Sequence, residues 1–258
     1  MFTRDDIIVG LNTTVIGRKL FVFDSLDSTN TCAKTLADAG LEEGTVVLAD
    51  YQTAGRGRQG RSWLSEPAMN ILLSIILRPS ISKEQASLLT FYAAVSVARV
   101  LECMNVGKVE CKWPNDVLLN GKKCCGILLE NSFQQDRLIY SVVGIGLNVN
   151  QTQFDNGIST RATSVARESG STFDRKDIIQ ILLKETDRLL PSLADGRINT
   201  IVDEWKDWCT MFGKSVTLTQ GEETISGTAL GIEADGRLVL STLSGQSTYF
   251  AGDVTIVE

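Results

Sequence analysis

From about Gly213 to its end this chain changes hydrophobic rhythm, and that change limits its architecture more than any other feature. Short alternating segments (SVTLT, TISGTAL, RLVLS, STYF and VTIV) follow one another, separated by Gly221, Gly236, Gly245 and Gly252. Alternation at period two with a glycine at each break describes a small β-barrel or sandwich. Upstream, strand-like and helix-like stretches are mixed. The expected fold class is therefore α+β: a mixed or antiparallel sheet packed with helices over residues 1–211, then a small all-β domain over 212–258.

In the larger part, residues 1–23 are mixed and carry no clear signal. Ser28 or Thr29 can cap a helix that stops at Gly40. TVVLADY (45–51) and NILLSIIL (70–77) read as buried strands. Ser82 and Gln85 make a capping box for a helix over about 83–104. KVECKWPNDVLLNGKKCCGILLEN reads as strand, break at Pro114, strand, Asn-Gly turn and strand, with RLIYSVVGIGLNVN (137–150) as hairpin partner. Asp174 opens a second helical stretch, which Pro191 and Gly196 interrupt before a helix through Trp205 and Trp208.

Composition narrows the chemistry. The chain has no histidine, which excludes Ser-His-Asp and Cys-His nucleophile systems, histidine zinc sites and a histidine general base. A net charge of −6 argues against a general nucleic-acid binder, which needs excess positive charge. No stretch reaches 18 apolar residues and the N-terminus lacks an apolar h-region, so neither a membrane span nor a signal peptide is expected. Cys32, Cys103, Cys111, Cys124, Cys125 and Cys209 form no C-x-x-C pair. They read as reduced structural thiols of a cytoplasmic protein, with no metal site, and neighbours Cys124 and Cys125 are expected on opposite faces of a strand.

Against that acidic total, G-R-G-R-Q-G-R at 55–61 carries three arginines and no acid. Glycines let a backbone approach a ligand closely, and guanidinium groups fork onto phosphate or carboxylate, so this loop is expected to close over an anion. Gly55, Gly57 and Gly60 match G-x-G-x-x-G formally, but Pro67 and a following strand replace the helix that a dinucleotide site requires. A second cluster, Lys112-Trp113-Pro114-Asn115-Asp116, groups a lysine, an amide and a carboxylate where Pro114 breaks the ladder. Such a lysine can stabilise charge developing on a phosphoryl oxygen. In the third, GIGLNVN (144–150), a β-bulge is the expected reason for the strand glycines, ahead of close approach by a ligand, and Asn148 could read the edge of a base.

GRGRQGRSW (55–63), KWPND (112–116), KKCCGILLE (122–130) and GIGLNVN (144–150), with LDSTN (26–30) and ADYQTAGRG (49–57) upstream, resemble the biotin protein ligases over nearly the whole chain from about residue 20. The resemblance implies a class II synthetase-like catalytic domain with a small SH3-like C-terminal barrel. It further implies an ATP-dependent ligase that makes biotinyl-5′-AMP and transfers biotin to one lysine of a biotin carboxyl carrier protein or domain. Both nucleophiles come from substrates, so a chain without histidine suffices. Mg2+ is expected with ATP, bound mainly through phosphates. A homodimer is expected, with no nucleic-acid or membrane partner. Lipoate-type acyl ligases of the same fold and biotin-responsive DNA-binding repressors are the alternatives.

Carried over by motif, Ser28, Thr29, Asn30, Gln52, Arg56, Gly57, Arg58, Lys112 and Gly126 are the implied biotin contacts. Arg56, Arg58, Arg61, Trp63, Asn115, Lys123, Gly144 and Asn148 are the implied ATP or adenylate contacts. Lys112, Arg58 and Asp116 are the implied catalytic groups, Asp116 either orienting Lys112 or accepting a proton from the incoming amine. One departure stands out: from Gly213 on there are two basic residues against six acidic ones, so the C-terminal domain offers little to a nucleotide.

Overall fold

Seven strands build the sheet that positions every candidate residue. The computed structural model describes residues 2–155 and 157–257. In chain order the elements are α1 (Arg4–Ile8), β1 (Leu20–Leu26), α2 (Thr29–Asp38), β2 (Val46–Gln52), β3 (Ile71–Leu77), α3 (Leu89–Met104), β4 (Val109–Lys112), β5 (Asp116–Leu119), β6 (Lys122–Gln134) and β7 (Arg137–Leu147). Helices α4 (Val165–Ser169), α5 (Arg175–Ala194) and α6 (Ile198–Trp208) follow, then β8 (Ser215–Gln220), β9 (Glu223–Ile232), β10 (Leu238–Thr242), β11 (Gly245–Tyr249) and β12 (Asp253–Ile256). The large sheet has the order β1-β2-β3-β7-β6-β5-β4, in which only β1 and β2 pair in parallel.

Each face of this sheet is covered differently. Ile71, Leu73, Ile75 and Leu77 of β3 join the large core with α3, α5 and α6, while Ile76 joins Val47, Val142, Ala33 and Ala37 in a smaller cluster beneath α2. Period-two alternation thus puts Ser74, between Leu73 and Ile75, on the α2 side. The stretch Ala86–Met104 is long and apolar enough to cross a bilayer, but 67% of its window is buried inside this fold. It serves as the core helix.

Local signals hold in several places. Asn120 and Gly121, at φ 51° and 76°, make the hairpin turn between β5 and β6. Ser82 and Gln85 exchange the reciprocal capping-box bonds at 3.2 and 3.4 Å. The helical segment begins later than the sequence suggests, however, as a 3-10 turn at Ala86–Leu88. Ser28 occupies the N-cap of α2 without a side-chain cap bond; the Thr29 amide is satisfied from β2 instead. Pro191 does not interrupt the second helical stretch but lies inside α5, where its missing N–H removes one bond in the last turn. Gly196, at φ 67°, is the real break.

The two adjacent cysteines also depart from simple alternation. The β5–β6 ladder shifts register there (Val117↔Cys125, Leu118↔Lys123), so Cys124 faces no β5 residue. Both thiols are completely buried in one hydrophobic cluster, and burial pushes both well above the ordinary thiol range. All six cysteines are free.

The C-terminal strands form a separate antiparallel sheet in the order β11-β10-β9-β8-β12, with positive-φ glycines Gly221, Gly236, Gly245 and Gly252 at its breaks. Its apolar residues Val216, Leu218, Leu238, Leu240 and Val254 join the large core. Trp113 ties the two parts together, its indole N–H donating to the Gly236 carbonyl at 3.0 Å.

Candidate active site

The arginine loop is a small antiparallel hairpin. Trp63 N donates to Gly55 O at 2.9 Å, Arg56 bridges Ser62, and Gly57 N donates to Arg61 O at 2.6 Å, with Gln59 at φ 54° at the tip. Three different acceptors hold its three arginines. Arg56 pairs with Glu130 of β6 at 2.7 Å, Arg58 donates to Asn115 Oδ1 at 3.0 Å, and Arg61 pairs with Asp253 of β12 at 2.8 Å. Asn115 in turn donates to Ile127 O at 2.8 Å, which fixes the turn after Lys112 against β6. The Trp113–Pro114 peptide of this turn is cis.

Under the hairpin the sheet is floored by glycine. Gly126 of β6 and Gly146 of β7 are direct cross-strand partners, and a Cβ on either would lie 2.7 or 2.6 Å from the indole of Trp63. Two residues back on the same face, a Cβ on Gly144 would lie 2.2 Å from Asn30 Oδ1. The only shifts in the β6–β7 ladder fall at Ser132/Phe133, so no bulge explains these glycines. They are flat because Asn30 and Trp63 press against them. The floor runs from Asn30 past Gly144 and Gly146 to Gly126 and Lys123, on the order of 10 Å from strand geometry.

At the Asn30 end lies a buried polar chain. Thr29 N and Thr29 Oγ1 meet Gln52 Oε1 at 2.7 and 3.0 Å, and Ser74 Oγ meets Thr29 Oγ1 at 2.8 Å and Asn30 Oδ1 at 2.6 Å. Asn30 Nδ2 donates to Leu128 O at 3.2 Å and to Glu130 Oε2 at 2.9 Å, the oxygen that also receives Arg56. The three oxygen–oxygen contacts of Ser74, Thr29, Gln52 and Asn30 share only the two hydroxyl protons of Ser74 and Thr29. Gln52 Oε1, Thr29 Oγ1 and Asn30 Oδ1 thus form a group of acceptor oxygens suited to a ligand N–H.

Cations gather at the other end. The ammonium of Lys112, a residue cross-strand from Asp116, makes no ion pair or hydrogen bond among the described residues. Burial lowers its pKa, with the Asp116 carboxylate opposing that shift. Asp116 itself pairs with Lys123 at 2.6 Å, and Lys123 also lies over the Trp63 ring at 5.7 Å. The expectation that Asp116 orients Lys112 is therefore redirected: its closest cation is Lys123. Arg161, which contributes to the positive field at Lys112, comes from the segment after β7. Burial likewise weakens Arg58's hold on its proton, with Asp253 and Asp116 opposing.

Clefts flank the hairpin on both sides. One, about 560 Å3, is lined by Gln52, Gly55, Trp63, Ser65, Phe154 and Ile158 among others. The second, about 610 Å3, runs along Arg56, Arg58, Arg61, Leu128 and Glu130. Both fall in the size range of small-molecule sites. In the first, Trp63 Nε1 and Ser65 Oγ are buried without a partner, a further call for a ligand acceptor or donor. Asn148 is 4% exposed and donates its amide to Thr163 O at 3.0 Å, so its NH2 group holds the segment beside this cleft.

Thr29, Asn30, Gln52, Gly126, Gly144, the three arginines, Trp63, Asn115, Asp116 and Lys123 are thus linked around one floor, with Lys112 cross-strand from Asp116 and Ser28 next to Thr29 in the chain. Sequence reasoning missed Ser74, Glu130, Gly146, Ser65, Arg161 and Asp253. Gly146 was readable, since the G-x-G spacing of a strand places it on the same face as Gly144. Glu130 closes the KKCCGILLE motif but was not singled out, and Ser74, Ser65, Arg161 and Asp253 reach the site only through tertiary pairing.

Residues 22–148 match the biotin/lipoate A/B protein ligase family, and residues 211–257 match the biotin protein ligase C-terminal domain. The chain is 36% identical to the bifunctional ligase/repressor BirA of Bacillus subtilis, over 98% of this chain and 79% of that protein. It is 34% identical to the biotin–[acetyl-CoA-carboxylase] ligase of Paracoccus denitrificans, over 88% of this chain and 96% of the relative. Among solved structures, the biotin protein ligase of Aquifex aeolicus in complex with biotin and ATP superimposes with a TM-score of 0.78 at 30% identity, covering 93% of this chain and 99% of that one. The chain therefore belongs to the biotin protein ligase family, both of whose domains it matches in order.

Proposed function

We propose that the chain condenses biotin with ATP to biotinyl-5′-AMP and pyrophosphate, then transfers the biotinyl group to a lysine amine of a carboxyl carrier domain. The observation that carries this reading is the polarity gradient along the floor. One end presents hydroxyl and amide oxygens, the middle has no side chains, and the far end holds the Lys112 ammonium near Lys123 and Arg161, with Arg58 tied to the neighbouring Asn115. Biotin has the matching order of parts: ureido N–H donors, an apolar tail and a carboxylate.

In the first step a biotin carboxylate oxygen bonds to the α-phosphorus and the bond to pyrophosphate breaks. Lys112 stabilises the charge that builds on the phosphoryl oxygens, aided by Arg58 at the hairpin tip; one preorganised donor of this kind contributes about 3–4 kcal/mol. In the second step a carrier lysine amine attacks the acyl carbon, AMP leaves with the bonding pair, and the amine loses a proton. Asp116 is the carboxylate nearest this event, with Lys123 holding it in place. The two carboxylates at the floor, Glu130 and Asp116, are each paired with a cation, which accords with Mg2+ carried in on the ATP phosphates. A cytoplasmic location accords with six free thiols, of which Cys111, Cys124 and Cys125 are buried. We also propose a homodimer, which sedimentation analysis will test.

Mass spectrometry of a carrier domain incubated with the protein, biotin and ATP tests transfer. One biotinyl addition on one lysine is expected, and none after that lysine is replaced by arginine. With preformed biotinyl-AMP, Asp116→Asn should slow transfer; unchanged transfer would remove Asp116 from the proton's path.

A further inference from the structure

The C-terminal sheet contributes no cation to the site, yet it touches both functional segments. Gly236 O receives the Trp113 indole beside Lys112, and Asp253 of β12 receives Arg61 of the hairpin. The hairpin has two limbs. Arg56 anchors the outgoing limb to Glu130 on the catalytic sheet, while Arg61 anchors the returning limb to the other domain. Gly57 N–Arg61 O at 2.6 Å locks the limbs together, so a pull on Arg61 acts on Gly57 and Arg58.

We propose that Asp253 is a positioning residue whose ion pair with Arg61 latches the arginine hairpin over the floor and sets how long the enzyme retains its acyl adenylate. This rests on the adenylating function proposed above. Arg61 and Asp253 side chains are 56% and 46% exposed, so the pair lies in solvent and breaks readily. A weak latch suits a site that must hold a reactive intermediate and then open to a carrier lysine. The negative field of Asp253 also reaches Lys112 and Arg58, in keeping with a carboxylate placed at the hairpin's mouth.

Release of preformed biotinyl-AMP and amide hydrogen exchange over 56–62 in the ligand-free protein should be measured together. Asp253→Asn is expected to speed both by about two- to five-fold, the range for an exposed ion pair. Asp253→Glu should restore both, and in an Arg61→Gln background Asp253→Asn should add nothing. Unchanged release and exchange in Asp253→Asn would overturn the latch, as would an equal effect in the Arg61→Gln background. If the wild-type protein forms no biotin-dependent adenylate, the functional reading fails, and the exchange measurement on the ligand-free protein alone decides whether Asp253 holds the hairpin.

Discussion

Replacing Gly144 by alanine tests the floor and the polar chain together. The new Cβ would lie 2.2 Å from Asn30 Oδ1 and 2.9 Å from its Cγ, where ordinary contact begins at 3.4 Å. Asn30 must therefore retreat by about 1.2 Å (from 2.2 to 3.4 Å). It is 3% exposed and tied to Ser74, Leu128 and Glu130 by bonds of 2.6, 3.2 and 2.9 Å, so the retreat breaks most of them. A buried amide left short of partners costs about 1–3 kcal/mol, and overpacking adds a similar amount. The expected loss is about 3 kcal/mol in urea unfolding, together with roughly 100-fold weaker biotin binding by calorimetry. In an Asn30→Ala background the clashing atoms are gone, and Gly144→Ala should then cost under about 0.5 kcal/mol. Wild-type stability and affinity in Gly144→Ala, or full additivity of the two changes, would refute this account of the floor.

Other consequences are equally direct. Arg58→Ala removes the bond that ties the hairpin tip to Asn115, so biotinyl-AMP should leak into solution; retention as tight as wild type in a filter-binding chase defeats that assignment. Because burial lowers the Lys112 pKa, and adenylation needs the ammonium form, the exchange rate should fall as pH rises through a value below the ordinary lysine pKa of about 10.4. Lys112→Arg should abolish that alkaline limb at a lower overall rate, since guanidinium keeps its proton. Burial alone would raise the Asp187 pKa, but donors from Thr14, Ile16 and Val15 overcome it and hold the carboxyl below its usual range. A depressed carboxylate stabilises above its unfolded pKa and loses that contribution as pH falls through the folded value. Asp187→Asn should thus cost about 2 kcal/mol near neutrality in denaturant titrations and progressively less in acid.

How far the molecule could be read from its sequence depended on whether a signal was local. Ile71–Leu77 is apolar without a break, and Asn120-Gly121 demands left-handed backbone, so both were legible. Leu20–Leu26 was not, because its burial is partial and its pairing with β2 lies across the α2 connection. The glycines of β7 could signal a bulge or a close neighbour; only the positions of Asn30 and Trp63 decide between them. The arginines announced an anion site, but nothing local showed that Glu130, Asn115 and Asp253 would hold them, since these partners lie 74, 57 and 192 residues away. Ser28 looked like a helix cap; it holds that position without a side-chain cap bond, and the amide of Thr29 donates to Gln52 across the sheet. Lys112 was legible as chemistry, whereas the ion pair that Asp116 makes with Lys123 was not, because Lys123 comes from the next hairpin strand.

In the proposed reaction, Lys112 is the stabilising cation as biotin is adenylated on this floor. Pyrophosphate exchange into ATP, measured with biotin, with lipoate and with no acid, tests it most directly. Exchange should require biotin and fall by about 100- to 1000-fold in Lys112→Ala. Exchange driven by lipoate in place of biotin, or undiminished in Lys112→Ala, would contradict the account.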